Sequence, residues 1–391
     1  MGKVKLKEGI YWVGAIDWNL RDFHGYTTPR GTTYNAYLIV DEKIALVDTV
    51  KTGFFSEMFE RIREIVDPKD IDYIISNHVE MDHSGSIPAM LNEAPNARIV
   101  CTNRCKDGLL RHYDIDREFH IIKTGDELGL GKKTLSFIEA PMLHWPDSTF
   151  TYIKEDRVLL PNDAFGQHLA TSKRFNDEVD GHVLMEEAAK YYATILMPFG
   201  GLITKKLNEL KDVKVDMICP SHGVIWRSNP GVIVEKYQHW ASGKSKNRVL
   251  IIYDTMWEST EKLALALSSG IAERGIDVRP FHLGKDDWGE IIKEVLDARV
   301  LLIGSPTLNN QMLPTVAGFL NLLLGLRPQG KIAAAFGSFG WGGGAVKAIN
   351  AELKTRFDVI EPGVEVKYRP DEEGFLKCKA LADEVVKRLG E

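Results

Sequence analysis

The apolar run Ile71-Asp72-Tyr73-Ile74-Ile75-Ser76 leads through Asn77 into His78-Val79-Glu80-Met81-Asp82-His83, and Ser84-Gly85 follow. Four side chains able to bind a metal thus stand within six residues, immediately past a strand-like segment. In an extended or tightly turned chain, alternate side chains point the same way, so His78, Glu80 and Asp82 can converge while Val79 and Met81 pack elsewhere. The Ser-Gly turn lets His83 reach in. Three more candidates sit just beyond apolar strands: His144 after Leu135–Ala140 and a Pro-Met-Leu turn, Asp163 after Arg157–Asn162, and His222 after Val215–Ser221. One such residue would be read as a turn or cap. Repeated at four strand ends, where a scaffold presents functional groups, the seven imply a site for two metal ions.

Around this site, from Tyr34 to Met142, short β-branched runs (35–40, 43–47, 71–76, 98–101, 134–139) alternate with helical periodicity near 54–66 and 104–113. Strands are expected again at 148–153, 157–160 and 215–219, with one long helical stretch over 183–210. Mostly antiparallel strands with scattered helices predict a layered α/β fold.

The motif resembles that of the metallo-β-lactamase superfamily, with Glu80 where that family has a histidine. A carboxylate at this place moves the ligand set from nitrogen-rich zinc chemistry toward the mixed set that suits redox iron. With the C-terminal half described next, the chain resembles the flavodiiron proteins, which reduce dioxygen to water or nitric oxide to nitrous oxide. The resemblance implies an N-terminal αββα sandwich. It also implies that His78, Glu80 and His144 bind one iron, that Asp82, His83 and His222 bind the other, and that Asp163 bridges them. By the same resemblance His24 and Tyr192, the latter chosen from the pair Tyr191-Tyr192, lie near the irons as catalytic candidates. His168 is expected behind Asp163 and not as a ligand.

The polar segment Ala241-Ser-Gly-Lys-Ser-Lys-Asn-Arg248 reads as a linker, dividing the chain into residues 1–246 and 247–391. Beyond it strands alternate strictly with helices: 248–253, 277–281, 299–303, 331–335 and 364–368, ending with a helix over 371–389. That rhythm predicts a doubly wound parallel sheet of flavodoxin-like size. Three loops follow the first, third and fourth strands, where such sheets bind ligands. The first holds Thr255, Met256, Trp257, Glu258, Ser259 and Thr260, whose hydroxyls at a helix start offer a phosphate cradle. The second holds Ser305, Pro306, Thr307, Leu308, Asn309 and Asn310. Gly337 opens the third, which continues with Ser338, Phe339, Gly340, Trp341, Gly342 and Gly343. Trp257 and Trp341 offer flat surfaces, and no G-x-G-x-x-G follows the first strand, against a dinucleotide. The resemblance to flavodoxins makes FMN the expected cofactor, beside two Fe ions.

With 391 residues, a formal net charge of -6 and 27% charged residues, the chain has room for two cores and no basic excess for nucleic acid. No stretch is apolar enough for a membrane span, so a cytoplasmic protein is expected. Cys101, Cys105, Cys219 and Cys378 form no disulfide framework or C-x-x-C pair. The resemblance further implies a head-to-tail homodimer or dimer of dimers, and a donor such as rubredoxin or reduced F420. Two rivals differ in class. One is a zinc-dependent hydrolase carrying a flavodoxin domain, which Glu80 opposes; the other is a flavin electron carrier whose first domain only docks.

Overall fold

The computed structural model describes residues 2–390. Met1–Tyr192 with Gly201–Gln238 form one compact unit, and Ala193–Gly200 with His239–Glu391 form the other.

Two large sheets build the first unit, beside two small two-stranded ones formed by Ala15–Asp17 with Thr32–Tyr34 and by Asp22–Phe23 with Tyr26–Thr27. Seven strands lie side by side in chain order: β1 (Val4–Lys7), β2 (Ile10–Trp12), β3 (Tyr37–Val40), β4 (Ile44–Val47), β5 (Ile71–Ile75), β6 (Arg98–Cys101) and β7 (Phe119–Ile121). Pairing is antiparallel as far as β4 and parallel from β4 to β7. Across the unit most pairings are antiparallel, as the sequence implies, and most of the parallel ones gather at one side of this sheet. Parallel neighbours need a crossover, and α1 (Phe55–Arg63), α2 (Ile87–Glu93) and α3 (Asn103–His112) provide it between the parallel strands. The second sheet follows with β8 (Glu127–Gly129), β9 (Thr134–Glu139), β10 (Thr149–Ile153), β11 (Val158–Leu160) and β12 (Met217–Ile218).

Side-chain alternation divides the core. Ile39, Val47, Ile75 and Val100 point between the sheets, onto Leu135, Phe137 and Leu160. Their neighbours Leu38, Leu46, Ile74 and Ile99 face Met58 and Ile62 of α1, Met90 of α2 and Leu109 of α3. A strand buried on both faces needs apolar residues at successive positions, which is why these runs are nearly continuous.

The long helix expected over 183–210 is interrupted. α4 (Gly181–Tyr191) and α5 (Gly200–Glu209) are separated by a π turn and the 3-10 turn Met197–Phe199. Pro198 has no N–H for a continuing helix. Asp180 caps α4, accepting from the backbone N–H groups of His182 and Val183 at 2.9 Å each. Asp180→Ala is expected to destabilise the fold by about 1 kcal/mol, read as a fall in Tm of roughly 2–4 °C. α6 (Gly231–Ala241) is the last helix before the strands of the second unit.

The second unit is a parallel sheet of β13 (Lys246–Tyr253), β14 (Asp277–His282), β15 (Ala298–Gly304), β16 (Ile332–Phe339), β17 (Asp358–Val359) and β18 (Val364–Lys367). Their order is β14-β13-β15-β16-β17, and β18 also pairs with β16, so the fifth position is shared by two short segments. Helices α7 (Ser259–Ala272), α8 (Trp288–Asp297), α9 (Pro314–Leu326), α10 (Ala345–Leu353) and α11 (Glu372–Gly390) intervene or follow. Leu263, Leu267 and Ile271 of α7 and Leu381 and Val385 of α11 cover one face. Because β13 has β14 on one side and β15 on the other, the chain changes direction there. The carboxyl ends of β13, β15 and β16 open a crevice.

Among the described residues no helix is long and apolar enough to cross a membrane. All four cysteines are free and buried.

Candidate metal centre

Residues 76–80 carry the chain from the end of β5 through bends at Asn77 and Glu80, and Met81–Ser84 then form one helical turn with Glu80 at its N-cap. This corrects the simple alternation expected for 78, 80 and 82. His78 and Glu80 do share a side, but the turn rotates Asp82 and His83 away to a second group. His78, Glu80, His144 and Asp163 form one set of mutually close ligand atoms, and Asp82, His83 and His222 the other.

Asp163 lies between the two sets. Its Oδ2 is 3.4 Å from His144 Nε2 and 3.7 Å from His78 Nε2. Its Oδ1 is 3.1 Å from His83 Nε2 and 3.4 Å from His222 Nε2. Glu80 Oε2 is 3.2 Å from both His78 Nε2 and His144 Nε2, and Asp82 Oδ2 is 3.2 Å from His222 Nε2. Donor atoms about 3 to 4 Å apart are what ions with ligand bonds near 2 Å require.

The electrostatics ask for cations. Burial pushes the carboxyls of Glu80 and Asp163 up, yet the surrounding imidazoles outweigh it and hold both well below the usual carboxylate range. Burial likewise opposes charge on the imidazoles, but Asp163 and Glu80 raise His144 to about 9, and Asp163 and Asp82 raise His222 to about 10. Both oxygens of Asp82 and Oδ2 of Asp163 are buried without a hydrogen-bond partner among the described residues. A buried carboxylate left so is costly unless a cation meets it. The donor set therefore fits two metal ions.

Supporting residues fix the ligands. His222 Nδ1 donates to the Thr33 carbonyl at 2.7 Å, which turns Nε2 toward the centre. Asp48, in a left-handed conformation at φ 54, accepts from Asn77 N at 2.8 Å and from Asn162 Nδ2 at 3.2 Å. It thereby ties the loop of His78 to that of Asp163, and burial pushes its carboxyl up to about 6. The sequence reading missed Asp48 and also Asp147, which lies beside His78 Nδ1. Each is an ordinary loop aspartate in sequence, although Asp147 follows His144 by three residues.

His24 is at the centre: its Nε2 is 2.7 Å from Glu80 Oε1, with the side chain half exposed. Of the two adjacent tyrosines, Tyr191 donates to Asp163 Oδ1 at 3.0 Å, whereas the Tyr192 ring packs edge-on against Tyr237. Successive helical residues differ by about 100° in direction, so the choice of Tyr192 over Tyr191 is corrected by one position. His168 lies behind His222, between Tyr26 Oη at 3.0 Å and Thr32 Oγ1 at 2.8 Å.

In the second unit a cleft of about 850 Å³ opens at the crevice. Of the loop residues expected there, Met256, Trp257, Ser259, Pro306, Thr307, Leu308, Asn309, Asn310, Ser338, Phe339, Gly340, Trp341 and Gly342 line it. Thr260 and Ser305 stand behind it as braces. Thr260 Oγ1 meets Ser338 Oγ at 3.0 Å, and Ser305 Oγ accepts from Leu313 N at 2.9 Å. Glu258 takes a left-handed conformation at the start of α7, and Gly343 lies against Glu365. Thr255 Oγ1 is buried without a partner among the described residues, as suits a hydroxyl awaiting a phosphate at a helix start. Trp257 and Trp341 are 88% and 92% exposed. Such bare aromatic faces fit a planar ring. Tyr368 and Arg369, which follow β18, also line the cleft and were not anticipated.

A β-lactamase-like domain with a two-metal pocket, followed by a flavodoxin-like domain with a ring-sized cleft, defines a two-domain class of redox protein. A family described as ODP family beta lactamase matches residues 32–223, and Flavodoxin matches residues 251–380. The chain belongs to the flavodiiron protein family, as the resemblance in its sequence implied. It is 52% identical to a nitric oxide reductase of Moorella thermoacetica over 99% of both chains. The solved rubredoxin oxygen:oxidoreductase of Desulfovibrio gigas superposes with a TM-score of 0.97 at 40% identity, covering 99% of this chain and 98% of that one. The flavodiiron protein of Giardia intestinalis gives a TM-score of 0.96 at 36% identity, covering 100% and 97%.

Proposed function

We propose that the chain is an oxidoreductase that reduces nitric oxide, dioxygen or both, with electrons from an external donor reaching a di-iron centre by way of FMN. The observation that carries this reading is Asp163, one oxygen turned to each of two ligand groups. When bound, iron supplies electrons and exchangeable coordination positions, and FMN takes electrons in pairs and releases them singly.

The protein's own groups have separate tasks. His78, Glu80 and His144 would hold one ion, and Asp82, His83 and His222 the other, with Asp163 shared. Tyr191 fixes the Asp163 carboxylate by its hydroxyl. His24 holds a proton beside Glu80 Oε1 and, being half exposed, can exchange it with solvent. His24→Ala is expected to retain iron and lower turnover by about 10- to 100-fold, below or at the low end of ordinary general-acid effects. Metal content measured beside steady-state rate separates that outcome from loss of the centre. In the second domain Thr255 and Ser259 would take the FMN phosphate, and Trp257 and Trp341 would flank the ring.

We place the domain division at residues 246 and 247, the cytoplasm as the compartment, and a head-to-tail homodimer or dimer of dimers as the working assembly. Rubredoxin or reduced F420 would serve as donor. Purified protein from iron-replete cells, reduced with each donor and then given nitric oxide or dioxygen, tests the proposal. Iron at two per chain with rapid consumption of either gas is expected. Full zinc occupancy with no gas consumption would overturn the reading.

A further inference from the structure

Asp147 takes no part in the ligand set, yet its carboxylate is buried directly behind one ligand. Its Oδ1 and Oδ2 lie 3.1 and 3.2 Å from His78 Nδ1, and Oδ2 also accepts from the Val79 backbone N–H at 2.7 Å. The residue is 5% exposed. The Thr149 hydroxyl donates to its backbone carbonyl at 3.2 Å, which fixes the loop that carries it. A carboxylate can only accept, so a ring nitrogen facing it must carry the proton. His78 is thereby committed to the tautomer with a bare Nε2, the atom that stands 3.2 Å from Glu80 Oε2. His222, by contrast, gives its Nδ1 proton to the Thr33 carbonyl. The two ligand groups are oriented by separate partners, one of them an ionisable side chain and the other backbone.

We infer that Asp147 is a positioning residue that secures metal at the His78–Glu80–His144 position alone, through the tautomer of His78. The inference rests on the two-metal reading above. Asparagine at 147 can accept from Val79 with its one oxygen, which leaves its amide N–H groups facing His78 Nδ1. The imidazole proton then moves to Nε2, where the ion must bind. The expected result for Asp147→Asn is that one of the two irons is held about 10- to 100-fold more weakly, the usual cost of losing such an outer partner, while the other is unchanged.

Iron-loaded full-length protein is challenged with increasing concentrations of a ferrous chelator, and the iron remaining per chain is measured beside FMN content and melting temperature. Wild type should release two irons at high chelator, and Asp147→Asn should release one early. Adding His78→Ala to Asp147→Asn should weaken the same iron further and leave the other in place, whereas adding His222→Ala should weaken both. Thr149→Val, which loosens the same loop but leaves the carboxylate, should behave as wild type. The inference is overturned if Asp147→Asn keeps both irons at wild-type strength, weakens both equally, loses the fold, or is matched by Thr149→Val. A wild-type chain that takes up fewer than two irons is a different failure, that of the two-metal reading, and the inference falls with it.

Discussion

Asp163→Asn is expected to end two-metal occupancy and to lower gas consumption by at least about 1,000-fold, equivalent to roughly 4 kcal/mol. The change keeps the size and planarity of the side chain, so packing is not what it tests. An amide has one oxygen, and the native carboxylate turns one oxygen to each ligand group. Whichever group receives the amide oxygen, the other receives two N–H donors in place of an acceptor. The negative charge that draws His83, His144 and His222 together is also lost. Iron per chain should fall below two while flavin absorbance stays at its wild-type level. A variant with two irons and normal turnover would show that Asp163 is not shared between the ions.

A second large effect is expected from Gly337→Ala, which should destabilise the flavodoxin-like domain by about 3 kcal/mol and empty it of FMN. A Cβ at Gly337 would lie 2.0 Å from the Ser305 carbonyl oxygen and 3.3 Å from Val346 Cγ2. Backbone oxygen cannot swing aside as a side chain can. At that place the second and third loops are joined by Ser305 N to Phe336 O at 3.1 Å and Thr307 N to Ser338 O at 2.7 Å. Forcing them apart breaks those bonds and widens the crevice between Pro306 and Phe339. Iron content should be unaffected, because all the ligands belong to the other unit. Wild-type flavin content together with an unchanged Tm would refute the argument.

The ligand positions were legible because each follows an apolar strand and four of them stand together. Strand ends are local features, and local features survive in a sequence. Their grouping came from the family resemblance and could not be read from spacing alone. Whether Asp82 sides with Glu80 or with His222 depends on one helical turn at Met81–Ser84, and four residues are too few to show a period. The choice between Tyr191 and Tyr192 failed for a related reason, since it depends on the rotation of α4. Asp48 and Asp147 act across the fold, through Asn77, Asn162 and His78. A contact between residues far apart in the chain leaves no pattern in either. In the second domain the three loops were read from their glycines, hydroxyls and tryptophans. Tyr368 and Arg369 were passed over because they follow a short fifth-position strand with none of those marks. The first thirty or so residues were hardest to read: their strands run to four residues at most, below the length at which alternation is visible.

The ligands enter from four loops spread between His78 and His222. While the chain is being made, a growing end that has reached only Leu160 presents His78, Glu80, Asp82, His83 and His144 but neither Asp163 nor His222. No lasting two-ion pocket exists at that stage, and the second sheet still lacks β12. The full ligand set for two ions therefore exists only once the chain has passed His222 and the domain can close. The residues that complete the two-ion pocket, Asp163 and His222, are thus the last of the seven to be made.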